Sequence, residues 1–252
     1  EKMAKNLKVM KDGATEGREK EVESLSGLIG GDGYRIQKYL EKNNTLTGSV
    51  TVKAMAMALS SSEVNAAMGR IVACPTAGSC GILPAVILSA GEKLGKTDEE
   101  LIDALFASAA VGMIIGMNAT LSGAEGGCQA ECGSAAAMGA AAVVEMMGGT
   151  PKMSLNAAAI VLKNILGLVC DPVAGLVEIP CAKRNAAGAI SALCTADMVM
   201  AGVESKIPFD DTVSAMYKVG KSLPTSLRET AMGGVAVTKA GLVLRKKVFG
   251  EE

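Results

Sequence analysis

The sequence predicts an all-α protein, one compact multi-helix domain with long loops at three places. Three observations carry that prediction. Apolar residues recur at helical spacing along most of the chain, and no run of alternating β-branched residues marks a strand. The apolar mass is Ala, Val, Leu, Ile and 15 Met, with aromatics only 2% of 252 residues, so small side chains can pack helices closely. Glycine, proline and serine gather in a few long stretches between the periodic segments, and long structured loops in a helical domain are usually functional.

Taken in order, residues 1–30 read as a charged helix containing EGREKEVESL, broken at GLIGGDG. A short helix from Tyr34 to about Asn43 and a longer one from about Ser49 to Met68 complete a more polar amino-terminal portion, residues 1–68. Residues 69–252 form the larger helical portion. Its first loop, around CPTAGSCGILPAV, precedes a helix from about Ile82 to Lys93. In KTDEEL, Thr97 or Asp98 caps the next helix and Glu99 and Glu100 favour its dipole, carrying it to about Met117. After NATLSGAEGGCQAECG, helix resumes from about Ser134 to Met147, and again after GGTPKMSL from about Ser154 to Val169. The third loop leads into a helix from about Ala182 to Ala201. Pro208, Phe209, Asp210 and Asp211 open a helix to about Ser222, and Pro224 starts the last section.

Composition excludes some function classes. With 25 basic and 26 acidic residues the net charge is -1, so no global field recommends nucleic acid or an anionic membrane as a partner. Ala104 to Ala124 carries no charge over 21 positions, long enough to cross a bilayer. Its Ser108, Asn118, Thr120 and Ser122, and its lack of an aromatic belt or basic flank, favour a buried central helix running into a polar loop. No secretory signal is visible, and seven cysteines, an odd number, exclude a complete disulfide framework, so reduced thiols in the cytoplasm are expected.

The chain contains no histidine, so its chemistry must rest on other groups. Cys74 and Cys80 share the first loop, Cys128 and Cys132 the second, and Cys170 and Cys181 flank the third. Cys194, inside an alanine-rich helix, reads as a small buried hydrophobe. Neither close pair has zinc-ribbon spacing, and without histidine a zinc site would be all cysteine. An iron-sulfur cluster needs only thiolates and suits ligands on separate loops; buried structural thiols fit the spacing equally well.

The segments CPTAGSCGILPAV, NATLSGAEGGCQAECG and VCDPVAGLVEIPCAKRNA resemble, in order and near-complete wording, the signature segments of the alpha chain of iron-sulfur L-serine dehydratases. The resemblance runs from about Gly69 to the end. It implies a catalytic domain that converts L-serine to pyruvate and ammonia at a 4Fe-4S cluster, without pyridoxal phosphate. It also implies that Cys128, Cys170 and Cys181 are the cluster ligands, leaving one iron open as a Lewis acid. Thr76, Ala77, Gly78 and Ser79 become a loop whose backbone N–H groups grip the substrate carboxylate. Asn118 or Ser122 would touch substrate, while Glu125, Gln129 and Glu131 support the thiolate loop. Arg184 would offset cluster charge or hold the carboxylate, with a solvent-exposed arginine as the competing account. Cys74, Cys80 and Cys132 are expected to be structural.

The chain lacks the serine-rich, histidine-bearing segment of longer relatives, which implies a separate beta chain as partner and a base supplied from it. It also ends in KKVFGEE, without the terminal cysteine that can cap the open iron in some single-chain relatives. Two rival readings remain beside the L-serine reading. One is a cysteine desulfidase using the same elimination, and the other is a non-catalytic iron-sulfur subunit.

Overall fold

In a computed structural model, which describes residues 1–250, eleven α-helices and several single turns account for the regular structure. Among the described residues there is no strand, only isolated bridges between Glu23 and Gly30 and between Cys170 and Arg228. The amino-terminal helices are α1 (Lys2–Glu19), α2 (Asp32–Lys42) and α3 (Ser49–Ala66). They are followed by α4 (Ile82–Leu94), α5 (Asp98–Asn118), the single turn α6 (Gly123–Gly126) and α7 (Ser134–Met146). The chain closes with α8 (Pro151–Ile165), α9 (Cys181–Met200), α10 (Phe209–Ser222) and α11 (Lys239–Phe249).

Local chemistry accounts for most of these boundaries. Thr97 caps α5 by accepting from Glu100 N–H, and the Glu100 carboxylate accepts the Thr97 N–H in return. Helix α8 begins three residues before the expected Ser154. Thr150 accepts a hydrogen bond from Met153 N–H, and Pro151 sits at the first helical position, where its missing N–H costs nothing. It also ends four residues early, ahead of Gly167, whose φ of +86° turns the chain into the third loop.

Two hub helices organise the packing. Helix α3 is surrounded by α1, α2, α4 and α9, and α7 by α4, α5, α8 and α9, so α4 and α9 belong to both groups. One continuous apolar core therefore joins residues from both portions of the chain. All of α7 except Glu145 is buried, because Ala, Gly and Ser present almost no bulk to four neighbours at once. Gly81 shows how close the backbones come: a Cβ there would stand 2.4 Å from the Ala58 carbonyl oxygen of α3.

The expected central helix is a different one. Helix α5, the one helix among the described residues long and apolar enough to cross a membrane, is buried along one face only. Phe106, Met113 and Met117 on its other face are 57%, 65% and 80% exposed. Apolar composition identified a helix but not the position that small residues win, and the centre falls to α7. A second correction concerns Cys194, which is exposed: it lies with Asp197 and Met198 on the outward face of α9.

Glu63 of α3 is 0% exposed and supplies the cap that α2 lacks, accepting from Asp32 N–H at 2.6 Å and Gly33 N–H at 3.4 Å. Burial pushes its carboxyl up to about 7. The folded state therefore holds a proton between the ordinary carboxylate range and about pH 7 that the unfolded chain has released, so stability falls as pH rises through that window. Urea unfolding at pH 5 and pH 8 should show this loss, and Glu63→Gln should reduce it by about 2 kcal/mol.

Candidate active site at the loop convergence

The three long loops meet at one end of the bundle, and each is held there by a different device. In the first, Ala77–Ser79 forms a single 3-10 turn, with Thr76 and Ser79 bonded through their hydroxyls at 3.2 Å. Asn185 of α9, 1% exposed, stitches this turn down. Its Oδ1 accepts from Gly81 N–H at 2.9 Å, and its Nδ2 donates to Gly78 O at 2.7 Å and to Cys181 O at 2.9 Å.

In the second loop, Cys128 precedes a π-helical turn, Gln129–Gly133, that runs straight into α7. The buried Gln129 side chain donates to Gly126 O and Met216 O and accepts from Gly167 N–H, tying this loop to α10 and to the end of α8. In the third loop, Cys170 is fixed on both sides by the carboxy-terminal segment. Cys170 N–H donates to Leu227 O at 2.9 Å, and Glu229 N–H donates to Cys170 O at 2.8 Å. Cys181 is the first residue of α9. Cys128 and Cys181 thus both stand at the amino ends of helical runs, where the dipole favours thiolate.

The sulfurs interact. Cys128 Sγ lies 3.4 Å from Cys132 Sγ. Hydrogen bonds from the Cys132 and Cys170 thiols, helped by the nearby Arg184 guanidinium, hold Cys128 well below the ordinary thiol range. The same hydrogen bonds to Cys128, together with burial, push Cys132 and Cys170 up, while burial pushes Cys181 up to about 12. Cys128 is thus the thiol of this group that the Arg184 guanidinium favours in its charged form. Arg184 is not the exposed side chain of the competing account. It ion-pairs with buried Asp171 at 2.9 Å and donates to Val169 O at 2.8 Å.

Glu131 enters this pocket from the π turn. It accepts from the Thr76 hydroxyl and from Gly123 N–H, and burial, with Cys128 and Glu229 nearby, pushes its carboxyl up to about 7. Gly123 is what makes room, since a Cβ there would stand 2.6 Å from Glu131 Oε2 and 3.1 Å from Cys170 Sγ. Ser122 stands at the head of the turn holding Gly123, without a side-chain cap hydrogen bond.

Other expected residues fall elsewhere. Asn118 is exposed at the end of α5 and donates to Ile114 O of its own helix, so it is not brought to the thiols. Ala77 is exposed, and so is Glu125. Cys74 and Cys80 are buried beside the first loop but turn their thiols to carbonyl oxygens, of Val72 and Cys80 for the first and of Ser61 for the second. Sequence reasoning missed the carboxy-terminal contribution altogether. Asp171 Oδ2 accepts from Val235 N–H at 2.7 Å, and a Cβ on Gly234 would overlap that carboxylate, so the Gly233–Gly234 pair was the available signal.

The profile of the family described as serine dehydratase alpha chain matches residues 1–236. The chain is 52% identical over 250 residues to the probable L-serine dehydratase, alpha chain, of Bacillus subtilis, covering 99% of this chain and 83% of the relative. It is 51% identical over 224 residues to the L-serine dehydratase, alpha chain, of Peptoniphilus asaccharolyticus, covering 89% and 77%. Against the L-serine dehydratase TdcG of Escherichia coli identity is 44%, over 71% of this chain but 40% of that relative.

Asn185 supplies three hydrogen bonds, two of them fully buried. Asn185→Leu should cost about 2 to 3 kcal/mol, read as a lowered midpoint in urea unfolding.

Proposed function

This chain belongs to the serine dehydratase alpha chain family, and we propose that it is the α subunit of an L-serine ammonia-lyase that converts L-serine to pyruvate and ammonia with a separate β chain. The observation that carries this reading is that Cys170 and Arg184 both meet Cys128, with Cys181 also within reach of Cys128 and Arg184.

A 4Fe-4S cluster fits the residues present. The donors are buried thiols from separate segments, the chain holds no competing imidazole, and Gly123 leaves space beside Cys170 Sγ that a side chain would fill. Cys128, Cys170 and Cys181 would hold the cluster, whose open iron would act as a Lewis acid toward the substrate oxygens.

The chain's own groups do the rest. Arg184 places positive charge against Cys128, and the 76–79 turn, pinned by Asn185, offers the N–H groups of Ala77 and Gly78 to the serine carboxylate, those of Thr76 and Ser79 being bonded within the turn. The segment around Leu227 to Glu229 covers Cys170 and keeps water from that side. Loss of the α-proton and the β-hydroxyl as water gives 2-aminoacrylate, whose imine tautomer hydrolyses to pyruvate and ammonium. With no histidine in the chain, an imidazole base would come from the β chain. A cytoplasmic setting, where thiols stay reduced, suits such a centre.

Anaerobic reconstitution with iron and sulfide tests the reading. Cys170→Ala should lose iron and pyruvate formation together, whereas Cys132→Ser should keep both. Full iron uptake and activity in Cys170→Ala would overturn the ligand set, and preference for cysteine over serine in a competition assay would turn the reading to a desulfidase. Gly123→Ala should fold yet take up little iron, because its added carbon meets Glu131 and Cys170 rather than helix backbone.

A further inference from the structure

L-Serine carries a carboxylate, a hydroxyl and an α-ammonium. The site as derived offers donors for the first and a Lewis acid for the second, which leaves the cation without a partner. We propose that Glu131 is the residue that binds the substrate α-ammonium and so makes the site specific for an amino acid; the inference rests on the L-serine reading above.

Position is the first argument. Glu131 lies one helical turn beyond Cys128, in the π turn, and so faces the same pocket. Two glycines bring it into the open. A Cβ on Gly78 would stand 3.4 Å from Glu131 Oε2 and 3.5 Å from Oε1, and one on Gly123 would be closer still. The carboxylate therefore sits between the 76–79 turn, where the substrate carboxylate is expected, and Cys170 Sγ. An α-amino acid has its ammonium and carboxylate on one carbon, so the two subsites must adjoin, as these do.

Charge is the second argument. Glu131 accepts two hydrogen bonds, from the Thr76 hydroxyl and the Gly123 N–H, and both donors are neutral. Among the described residues it forms no ion pair. Arg184, the cation of the pocket, is already engaged by Asp171, Val169 O and Cys128. Glu229 adds a further negative charge nearby, from a residue held at φ +64°, a left-handed conformation that a non-glycine residue adopts only when its surroundings enforce it. No cation of this chain pairs with Glu131 among the described residues, and the substrate carries one.

The competing account is that Glu131 only fastens the first loop to the second. A glutamine could fasten them as well, which separates the two accounts. L-Glycerate matches L-serine except for a hydroxyl in place of the ammonium, so it probes every subsite but this one. In the reconstituted enzyme with its β chain, Glu131→Gln should raise KM for L-serine roughly 10- to 100-fold, the loss expected for one charge-assisted hydrogen bond. Because that bond persists from ground state to transition state, kcat should change much less. Inhibition by L-glycerate should stay within about twofold of wild type, since that ligand makes no ion pair with Glu131.

Thermal shifts produced by L-serine and by L-glycerate give a readout that does not depend on turnover. Wild type should be stabilised more by L-serine, and Glu131→Gln about equally by both. Equal loss of affinity for both ligands, or an unchanged preference for L-serine, overturns the proposal. Iron and sulfide content is measured alongside. If the glutamine variant does not take up the cluster, Glu131→Asp carries the test: it keeps the charge and should retain the L-serine preference, and equal loss for both ligands again overturns the proposal. Wild type that forms no pyruvate from L-serine would count against the L-serine reading alone, while the thermal-shift comparison would still decide the role of Glu131.

Discussion

The guanidinium of Arg184 is the interaction on which the rest of the site depends. It leaves α9 one turn after Cys181, reaches the third loop at Val169 O and Asp171, and faces the Cys128 thiolate at the head of the second loop. A side chain only 18% exposed can hold a full positive charge there only because acceptors surround it, and Asp171 is 3% exposed on its own account. Removing either partner strands the other. The network joins α9, the third loop and the head of the second loop, the segments that bear Cys181, Cys170 and Cys128.

Such a network needs the loops to arrive at one point, and packing of small residues provides that. Helix α7 accepts neighbours on all sides because Ala, Gly and Ser add little to its radius, so α4, α8 and α9 lie close about it and their connecting loops emerge together at one end. Larger side chains on α7 would widen the bundle and separate the thiols. The low aromatic content is thus connected to the chemistry: a core of small residues and methionine gives a narrow bundle with wide loops. It also leaves α5 half covered, with Phe106, Met113 and Met117 outward, because four neighbours already fill the space around the hub.

The pocket brings both signs of charge together. Arg184 and Glu131 both act on Cys128, and Glu131 and Glu229 act on Cys170 as well. A zwitterionic substrate suits a pocket that holds both signs, since it adds no net charge to it. The glycines at 78 and 123 matter for the same reason. They keep the space between the charges empty, and a single Cβ at Gly123 would close it.

Much of this was legible in the chain. Helix positions followed from apolar spacing and from capping residues such as Thr97, which act over four or five residues and need no tertiary partner. The three cysteine-bearing segments and their order were recognisable because motif wording is local. What one sequence could not specify was which side chains meet across long separations. The central place of α7 over α5, the exposure of Cys194, the withdrawal of Asn118 to its own helix, and the clamp of Leu227 and Glu229 on Cys170 all depend on how helices share faces. Glu131 is the sharpest instance: in sequence it is one acidic residue among several beside Cys128, and only the approach of Gly78 and Gly123, 53 and 8 positions away, makes it part of a pocket. Hydrogen-bonded turns and caps are set by neighbours along the chain, whereas burial, and the charge states that follow from it, is set by whatever the completed fold brings alongside.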